Sequence, residues 1–254
     1  MLKIRVIPAL LLKERYLVKT KNFSNPSYLG DPINILKIFN QKEVDEVVLL
    51  DITATVEQRP PQFELLEQLA SECFMPLSYG GGVRNVEDVG RILGLGIEKI
   101  VINSYAVENP EFITEVSGIF GSQSIVASID VKKTKTGGYE VYTHGGKQRT
   151  NLDPAIFTQQ MEKMGAGEIF LSSIDCDGMM QGYDLAIANE VADAVSVPVI
   201  VCGGAGNFAH LEAALKDSKI SAAACASLFH FGDNNPIRAR STLRNRGVAM
   251  RMLK

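Results

Sequence analysis

The stretches PLSYGGGVRN (76–85) and PVIVCGGAGN (198–207) decide the fold, because they are two copies of one pattern. Each copy begins with proline, continues through a short apolar run and consecutive glycines, and ends on asparagine. One constant spacing relates every residue of the first copy to its match in the second. Self-similarity at a fixed spacing indicates duplicated structural units. The sequence therefore predicts a fold built from two similar halves.

The repeat extends beyond these two stretches. EVVL (46–49) matches EIFL (168–171) at the same spacing, and ALLLK (9–13) aligns with SIDVK (128–132). Each half would then hold four strand–helix units. No linker or low-complexity segment separates the halves, so we predict a single domain over residues 1–254.

Short apolar runs recur along the chain, with amphipathic stretches between them. The eight candidate strands are KIRVIPALLL (3–12), DEVVLLDI (45–52), FMPLSY (74–79), KIVIN (99–103), SIVASID (124–130), EIFLSSI (168–174), VPVIVC (197–202) and ISAAACA (220–226). Four helices have a clear start signal, an Asp or Asn followed by proline, which satisfies or removes unpaired backbone N–H groups. These signals are Asp31-Pro32, Asn109-Pro110, Asp153-Pro154 and Asn235-Pro236.

Eight alternations of strand and helix favour a parallel sheet with right-handed crossovers. Since eight such units can close on themselves, we predict an α/β fold, a (β/α)8 TIM barrel built from two fused half-barrels. The alternative is an open, doubly wound sheet.

Composition and charge limit the classes of function. The chain has 254 residues and a formal charge of −3, from 26 basic and 29 acidic residues, which is far from the basic balance of a nucleic-acid binder. No apolar run reaches the roughly 18 residues that cross a bilayer, and MLKIRVIPALLLKERY (1–16) carries charges within its apolar stretch. We therefore predict a cytoplasmic protein that meets small molecules or other proteins, with no membrane and no nucleic-acid partner.

The cysteine and histidine pattern is unlike that of a metal protein. Cys73, Cys176, Cys202 and Cys225 lie far apart with no C-x-x-C pair, and the chain has three histidines. A zinc site needs a closer set of such ligands. We predict reduced thiols, no metal site and no cofactor.

Two glycine clusters, after the third and seventh predicted strands, are candidate phosphate sites. Each precedes a helix start, where unpaired N–H groups and the helix dipole favour an anion. A serine just beyond the following strand in each half can donate a hydroxyl to the same phosphate. The residues are Gly81, Gly82 and Ser104 in one half, and Gly203, Gly204 and Ser227 in the other. Tight turns also need glycine, but the matched serines favour a ligand with a phosphate at each end.

The fifth predicted strand ends in a carboxylate, Asp130. Side chains two residues apart share a face of a strand. If Asp130 points inward, the inward residues are Ser124, Val126 and Ser128 on this strand, and Arg5, Ile7, Ala9 and Leu11 on its repeat partner. At the C-terminal end of a barrel strand, Asp130 is a candidate general acid or base. The alternative is a structural aspartate bonded to a loop N–H group.

Two connections are longer than the usual strand-to-helix loop. The first runs from Lys13 to Gly30 and is predicted to be either a flap over an anionic ligand or a solvated surface loop. Its basic residues are Lys13, Arg15, Lys19 and Lys21. The second runs from Val131 to Thr150 and is predicted to form a small hairpin around residues 136–138.

Six stretches together resemble one family. They are DITATVEQR (51–59), SYGGGVRN (78–85), VINSYAVENP (101–110), VASIDVKK (126–133), SSIDCDG (172–178) and CGGAGNFAH (202–210). Over nearly its full length the chain resembles HisF, the cyclase subunit of imidazole glycerol phosphate synthase. The resemblance implies a barrel that binds a HisH-like glutaminase at its N-terminal face and conducts ammonia to its mouth. There ammonia would meet a bis-phosphorylated formimino-aminoimidazole carboxamide ribotide and form imidazole glycerol phosphate.

The resemblance also implies roles for individual residues. The family's catalytic groups fall on Asp130 and Lys19, and its phosphate contacts fall on the two glycine and serine groups. Further residues at the mouth are Asp51, Asn103, Ser172 and Asp177. The ring of charges that gates ammonia at the opposite end falls on Arg5, Glu46, Lys99 and Glu168. Glu98 is expected in or near the contact with the glutaminase.

Three positions depart from the family pattern. Leu11 replaces the first catalytic aspartate, Thr20 replaces a glycine after the loop lysine, and Gly145 replaces a hydroxyl near the second phosphate loop. This pattern resembles a paralogous branch that delivers ammonia to a separate amidotransferase, which makes acetamidino groups on bacterial surface sugars. The alternatives are a true cyclase of histidine biosynthesis and an isomerase of a related bis-phosphate half-barrel type.

Overall fold

Eight parallel strands close into a barrel in the computed structural model, which describes residues 4–42, 44–216, 218–229 and 234–250. The strands are β1 (Arg5–Lys13), β2 (Val47–Asp51), β3 (Leu77–Gly80), β4 (Lys99–Ile102), β5 (Ile125–Lys133), β6 (Glu168–Ser173), β7 (Val199–Cys202) and β8 (Ala222–Cys225). Each pairs in parallel with the next, and β8 pairs with β1 to close the ring. The predicted (β/α)8 barrel is confirmed. Lys3, the first residue of the first predicted run, lies outside the described residues.

Helices connect the barrel strands and cover the outside of the barrel. They are α1 (Pro32–Gln41), α2 (Phe63–Glu72), α3 (Val86–Gly94), α4 (Ser104–Glu108), α5 (Glu111–Phe120), α6 (Pro154–Lys163), α7 (Leu185–Ala194), α8 (Phe208–Leu215) and α9 (Pro236–Asn245). Within the described ranges, no helix is both long and apolar enough to cross a membrane.

All four helices begin at their predicted start signals, and three of them have the predicted side-chain cap. Asp31, Asp153 and Asn235 each accept a hydrogen bond from an N–H group in the first turn of the helix that follows. The remaining helix, α5, also follows its signal, Asn109-Pro110, but Asn109 lies at the C-terminal end of the short helix α4 and does not cap α5. Helix α5 therefore begins at Glu111 without a side-chain cap.

The two long connections are β-hairpins at equivalent places in the two halves. The first hairpin consists of Tyr16–Lys21 and Ser24–Gly30 and pairs antiparallel with β1. In the second connection, Tyr139–Thr143 pairs antiparallel with the end of β5 and forms the hairpin predicted around residues 136–138. Gln148–Arg149 then pairs antiparallel with Tyr139–Thr143. The first connection is thus a paired hairpin that buries Leu17 completely and leaves most of its second strand exposed. Its role as a flap over an anionic ligand stays a prediction.

Side chains of the barrel strands alternate between the lumen and the surrounding helices. A buried apolar cluster fills the middle of the lumen and consists of Ile7, Ala9, Val48, Val101, Val126, Phe170, Ile200, Ala222 and Ala224. The inward directions predicted for Ile7, Ala9 and Val126 are therefore confirmed. Ser124 differs, because it lies in a 3-10 turn ahead of β5 and not on the strand. The outward side chains pack with the helices in a second, larger core.

Candidate functional site

A cavity of about 330 Å³ opens at the C-terminal ends of the barrel strands. Its lining includes five of the predicted site residues at the mouth, Asp51, Asn103, Asp130, Ser172 and Asp177. The first predicted phosphate-binding site also lines the cavity, through Gly81, Gly82 and Ser104. In the described part of the chain, the lining does not include Lys19, Gly203, Gly204 or Ser227. Asp130 and one of the two predicted phosphate-binding sites therefore line the same cavity.

Asp130 lies near the end of β5 and is only 9% exposed. Burial and the nearby charge of Asp177 raise the pKa of Asp130 to about 7, although a hydrogen bond with Asn103 opposes that shift. The Asn103 amide also donates to the Ser128 carbonyl oxygen at 3.0 Å, which fixes its orientation. Asp130 is therefore a carboxyl group that can gain or lose a proton near neutral pH, as a general acid or base requires.

Changing Asp130 to asparagine is expected to stabilise the protein increasingly as the pH rises from about 4 to about 7. The pKa of Asp130 is about 7 in the folded protein and 3.8 for an unperturbed aspartate, so the unfolded chain releases this proton first. Loss of this proton from the unfolded chain lowers the free energy of unfolding of the wild-type protein over that range, and the asparagine variant lacks this contribution. Urea unfolding of both proteins at several pH values measures the difference. A difference that is constant with pH would contradict the raised pKa.

Leu11 is part of an apolar wall of the cavity. It lies on β1 in register with Leu50 on β2, and both line the cavity with Val101 of β4. A leucine has no proton to exchange. The mouth therefore carries a carboxyl group at one of two repeat-related positions, Asp130, and none at the other.

Asp51 is paired with Arg59, a residue that the sequence analysis missed. The guanidinium group of Arg59 donates to both Asp51 carboxylate oxygens at 2.8 Å. The N–H groups of Thr53 and Ala54 donate to Asp51 Oδ1 at 3.2 and 3.1 Å. Asp51 thus holds the loop after β2 in place. The opposite charges at the two ends of the stretch 51–59 are the sequence signal for this pair.

Asp177 holds the first hairpin across the mouth. Its Oδ2 atom accepts hydrogen bonds from the Thr20 hydroxyl at 2.6 Å and from the Phe23 N–H group at 3.1 Å. The Asn22 side chain adds a hydrogen bond to the Asp175 carbonyl oxygen at 2.8 Å. Thr20, and not Lys19, is the residue of this strand that lines the cavity beside Asp177. Thr20, which stands where the resemblance implies a glycine, therefore contributes a contact between the hairpin and the loop after β6.

The two glycine groups differ in their surroundings. In the first group, the Ser104 hydroxyl accepts from the His144 N–H group at 3.0 Å. Arg84 and Lys147 also line the cavity, and Arg84 lies 3.7 Å from Glu108. In the second group, Gly204 packs so closely on Gly182 that a Cβ atom would overlap the Gly182 carbonyl oxygen. Gly81 and Gly82 are packed closely as well, since a Cβ atom there would lie 2.5 and 2.6 Å from the carbonyl oxygens of Asp51 and Arg59. Backbone packing therefore requires glycine in both groups, and the first group also faces the cavity.

Four charged side chains form a closed ring at the N-terminal end of the barrel. We call it the charged ring, and its members are Arg5, Glu46, Lys99 and Glu168. Glu46 lies 2.6 Å from Arg5 and 3.1 Å from Lys99. Glu168 contacts Arg5 and lies 2.8 Å from Lys99. The Ser78 hydroxyl donates to Glu46 at 2.8 Å. Burial would raise the pKa of Glu46, but Lys99 and Arg5 outweigh burial and hold that pKa below its usual range. The four predicted gate residues therefore neutralise one another.

The fold is a duplicated (β/α)8 barrel with a carboxyl group of raised pKa in the cavity at its mouth and a charged ring at the opposite end. Residues 5–235 match a family model described as "Histidine biosynthesis protein". A Pseudomonas aeruginosa protein with the provisional name imidazole glycerol phosphate synthase subunit hisF2 is 47% identical over 231 residues, covering 91% of this chain and 92% of the relative. A Leptospira interrogans protein, provisionally imidazole glycerol phosphate synthase subunit HisF, is 46% identical over 230 residues, covering 90% and 91%. The chain therefore belongs to this histidine biosynthesis family, as a HisF-like member.

Proposed function

We propose that this chain is the ammonia-conducting subunit of a glutamine-dependent synthase complex. It binds a HisH-like glutaminase at its N-terminal face and passes ammonia through the barrel to a sugar amidotransferase, which converts acetamido to acetamidino groups on bacterial surface sugars. The observation that carries this proposal is the combination of a closed charged ring with Leu11 in the mouth. The chain has kept the proposed entrance for ammonia and lacks one of the two acid–base groups of a cyclase.

The N-terminal face supports the docking of a glutaminase. Phe74 is 84% exposed there, in the loop between α2 and β3. Its N–H group donates to Asn40 Oδ1 at 3.1 Å, so the backbone that presents the ring is held in place. Glu98, directly before Lys99 of the charged ring, is also exposed. An exposed aromatic beside a charge fits the centre of a protein interface, where buried aromatic side chains contribute most of the affinity.

The lumen above the charged ring supports the passage of ammonia in its neutral form. Its side chains are apolar and are at most 4% exposed. Burial of an ammonium ion without a partner would cost far more than burial of a neutral amine. The lumen therefore favours ammonia over ammonium and over other cations.

For the mouth we propose a phosphorylated small-molecule ligand. Gly81, Gly82 and Ser104 would bind one phosphate, with Arg84 and Lys147 of the cavity lining adding positive charge. Gly203, Gly204 and Ser227 would bind the second phosphate. Asp130 and Lys19 would act on the ligand, with Asp51, Asn103, Ser172 and Asp177 around it. A second candidate function, the cyclase of histidine biosynthesis, is favoured by one observation, the Asp130 carboxyl group with a pKa of about 7.

Reconstitution tests the proposal. The chain, the HisH-like glutaminase of the same organism and its surface-sugar amidotransferase are mixed with glutamine and the acetamido sugar, and the acetamidino product is measured by mass spectrometry. We expect product from glutamine only when all three proteins are present, and product from ammonium salt without the glutaminase. Glutamine-driven cyclisation of the family's ribotide by the chain and glutaminase alone would instead establish the cyclase.

A further inference from the structure

One apolar layer separates the charged ring from the cavity at the mouth. Strand β6 runs past the charged ring, the apolar layer and the cavity, and its inward side chains are two residues apart. Glu168 belongs to the charged ring, Phe170 to the buried lumen cluster, and Ser172 to the cavity lining. Phe170 therefore lies on the line between the proposed entrance and exit for ammonia.

The side chains packed around Phe170 close the path between the charged ring and the cavity. Phe170 is 1% exposed and lies in register with Ser128 on β5 and Ile200 on β7. The apolar layer consists of Ile7, Val48, Val126, Phe170 and Ile200, each at most 3% exposed. No residue of the apolar layer lines the cavity, whereas Ser128 and Ser172 do. The cavity thus ends at the upper side of this layer.

Phe170 is the one aromatic side chain of the described lumen cluster, which also contains small side chains. On β8 the inward residues are Ala222 and Ala224, and Ala222 lies in register with Ile200. The side chain of a phenylalanine changes direction by rotation about χ1, which has discrete staggered wells. Alanine is the smallest residue in the cluster, so a rotating ring would meet less side-chain bulk on β8 than on the strands that contribute isoleucine and valine. Rotation of Phe170 toward β8 would join the cavity to the charged ring.

We infer that Phe170 is a second, apolar gate on the ammonia path, a step that rests on the proposed function. The charged ring admits ammonia from the N-terminal face, and Phe170 keeps water and ammonium out of the lumen until its ring turns. An apolar gate suits this task, because a neutral molecule crosses it at little cost whereas a hydrated ion does not. Phe170 thereby selects what is conducted, and it takes no part in bond formation.

The test compares Phe170→Trp with wild type in the reconstituted complex. A larger side chain fills the space toward β8 and blocks rotation. We expect acetamidino product per glutamate released to fall at least about tenfold, a modest rise in the barrier to passage. Glutamine hydrolysis and ammonium-driven product should be unchanged. Phe157→Trp is the matched control, since Phe157 is also buried but lies on α6 outside the lumen.

The outcomes separate the gate from the proposed function. If the wild-type complex yields no product from glutamine, the proposed function is wrong, and the gate assignment is wrong with it. If wild type and Phe170→Trp transfer nitrogen equally well, only the gate assignment is wrong. Where the tryptophan variant does not fold, crystals of Phe170→Leu under xenon pressure give the second measurement. Xenon in the apolar layer of the variant but not of wild type is expected, and no xenon there in either protein would overturn the gate.

Discussion

Leu11→Asp is expected to raise ammonium-dependent cyclisation of the family's ribotide by about 10²–10⁴-fold, the usual contribution of one general acid or base. Leu11 lines the mouth at the repeat position that corresponds to Asp130. An aspartate there would supply the second carboxyl group beside one whose pKa is about 7. Two carboxyl groups with separated pKa values can divide the roles of acid and base. The wild-type chain is expected to turn the ribotide over negligibly.

The measurement is the rate of imidazole glycerol phosphate formation from ammonium salt, for wild type and variant. Leu50→Asp is the matched control, because Leu50 is the neighbour of Leu11 in register and lines the same cavity. The control adds a carboxyl group at a position that does not correspond to Asp130, and it should give no gain. Efficient cyclisation by the wild-type chain would refute the delivery function. No gain from Leu11→Asp would mean that the mouth no longer fits the ribotide.

The barrel was predictable because its signals are local or repeated. Apolar runs define the strands, and Asp31, Asp153 and Asn235 act on N–H groups only three residues away. The charged ring was predictable for a related reason. Its members stand at strand starts, and closure of the barrel brings strand starts together at one end. The resemblance to HisF then supplied the expected role of each position.

Contacts between distant segments were not predictable. The Thr20 hydroxyl meets Asp177 across most of the chain, and nothing in either neighbourhood indicates the other. The close packing of Gly204 on Gly182 likewise depends on how two loops meet above the barrel. Glycine suits an anion site and a close backbone approach equally well. Sequence alone therefore could not separate these two uses of the second glycine group.

Lys99→Leu and Glu168→Leu are expected to abolish glutamine-driven product and to spare ammonium-driven product. Removing Lys99 leaves Glu46 and Glu168, with side chains 5% and 7% exposed, sharing Arg5 alone. Removing one partner of a buried ion pair costs about 3–5 kcal/mol, because the remaining charge is left uncompensated. The leucine side chain would also stand in the opening of the charged ring, where no hydrogen bond can hold it aside. Ammonium salt enters from the mouth and bypasses this obstruction.

Lys219→Leu is the control for loss of a lysine ion pair. Lys219 pairs with Asp193 at 2.8 Å, but both side chains are 67% exposed. Exposed pairs contribute about 0–1 kcal/mol, so this variant should keep both activities and its stability. Glutamine-driven and ammonium-driven product, with urea unfolding, are measured for all three variants and wild type. If the charged-ring variants keep glutamine-driven product, the four charges form a structural ion-pair network, and ammonia does not pass through them.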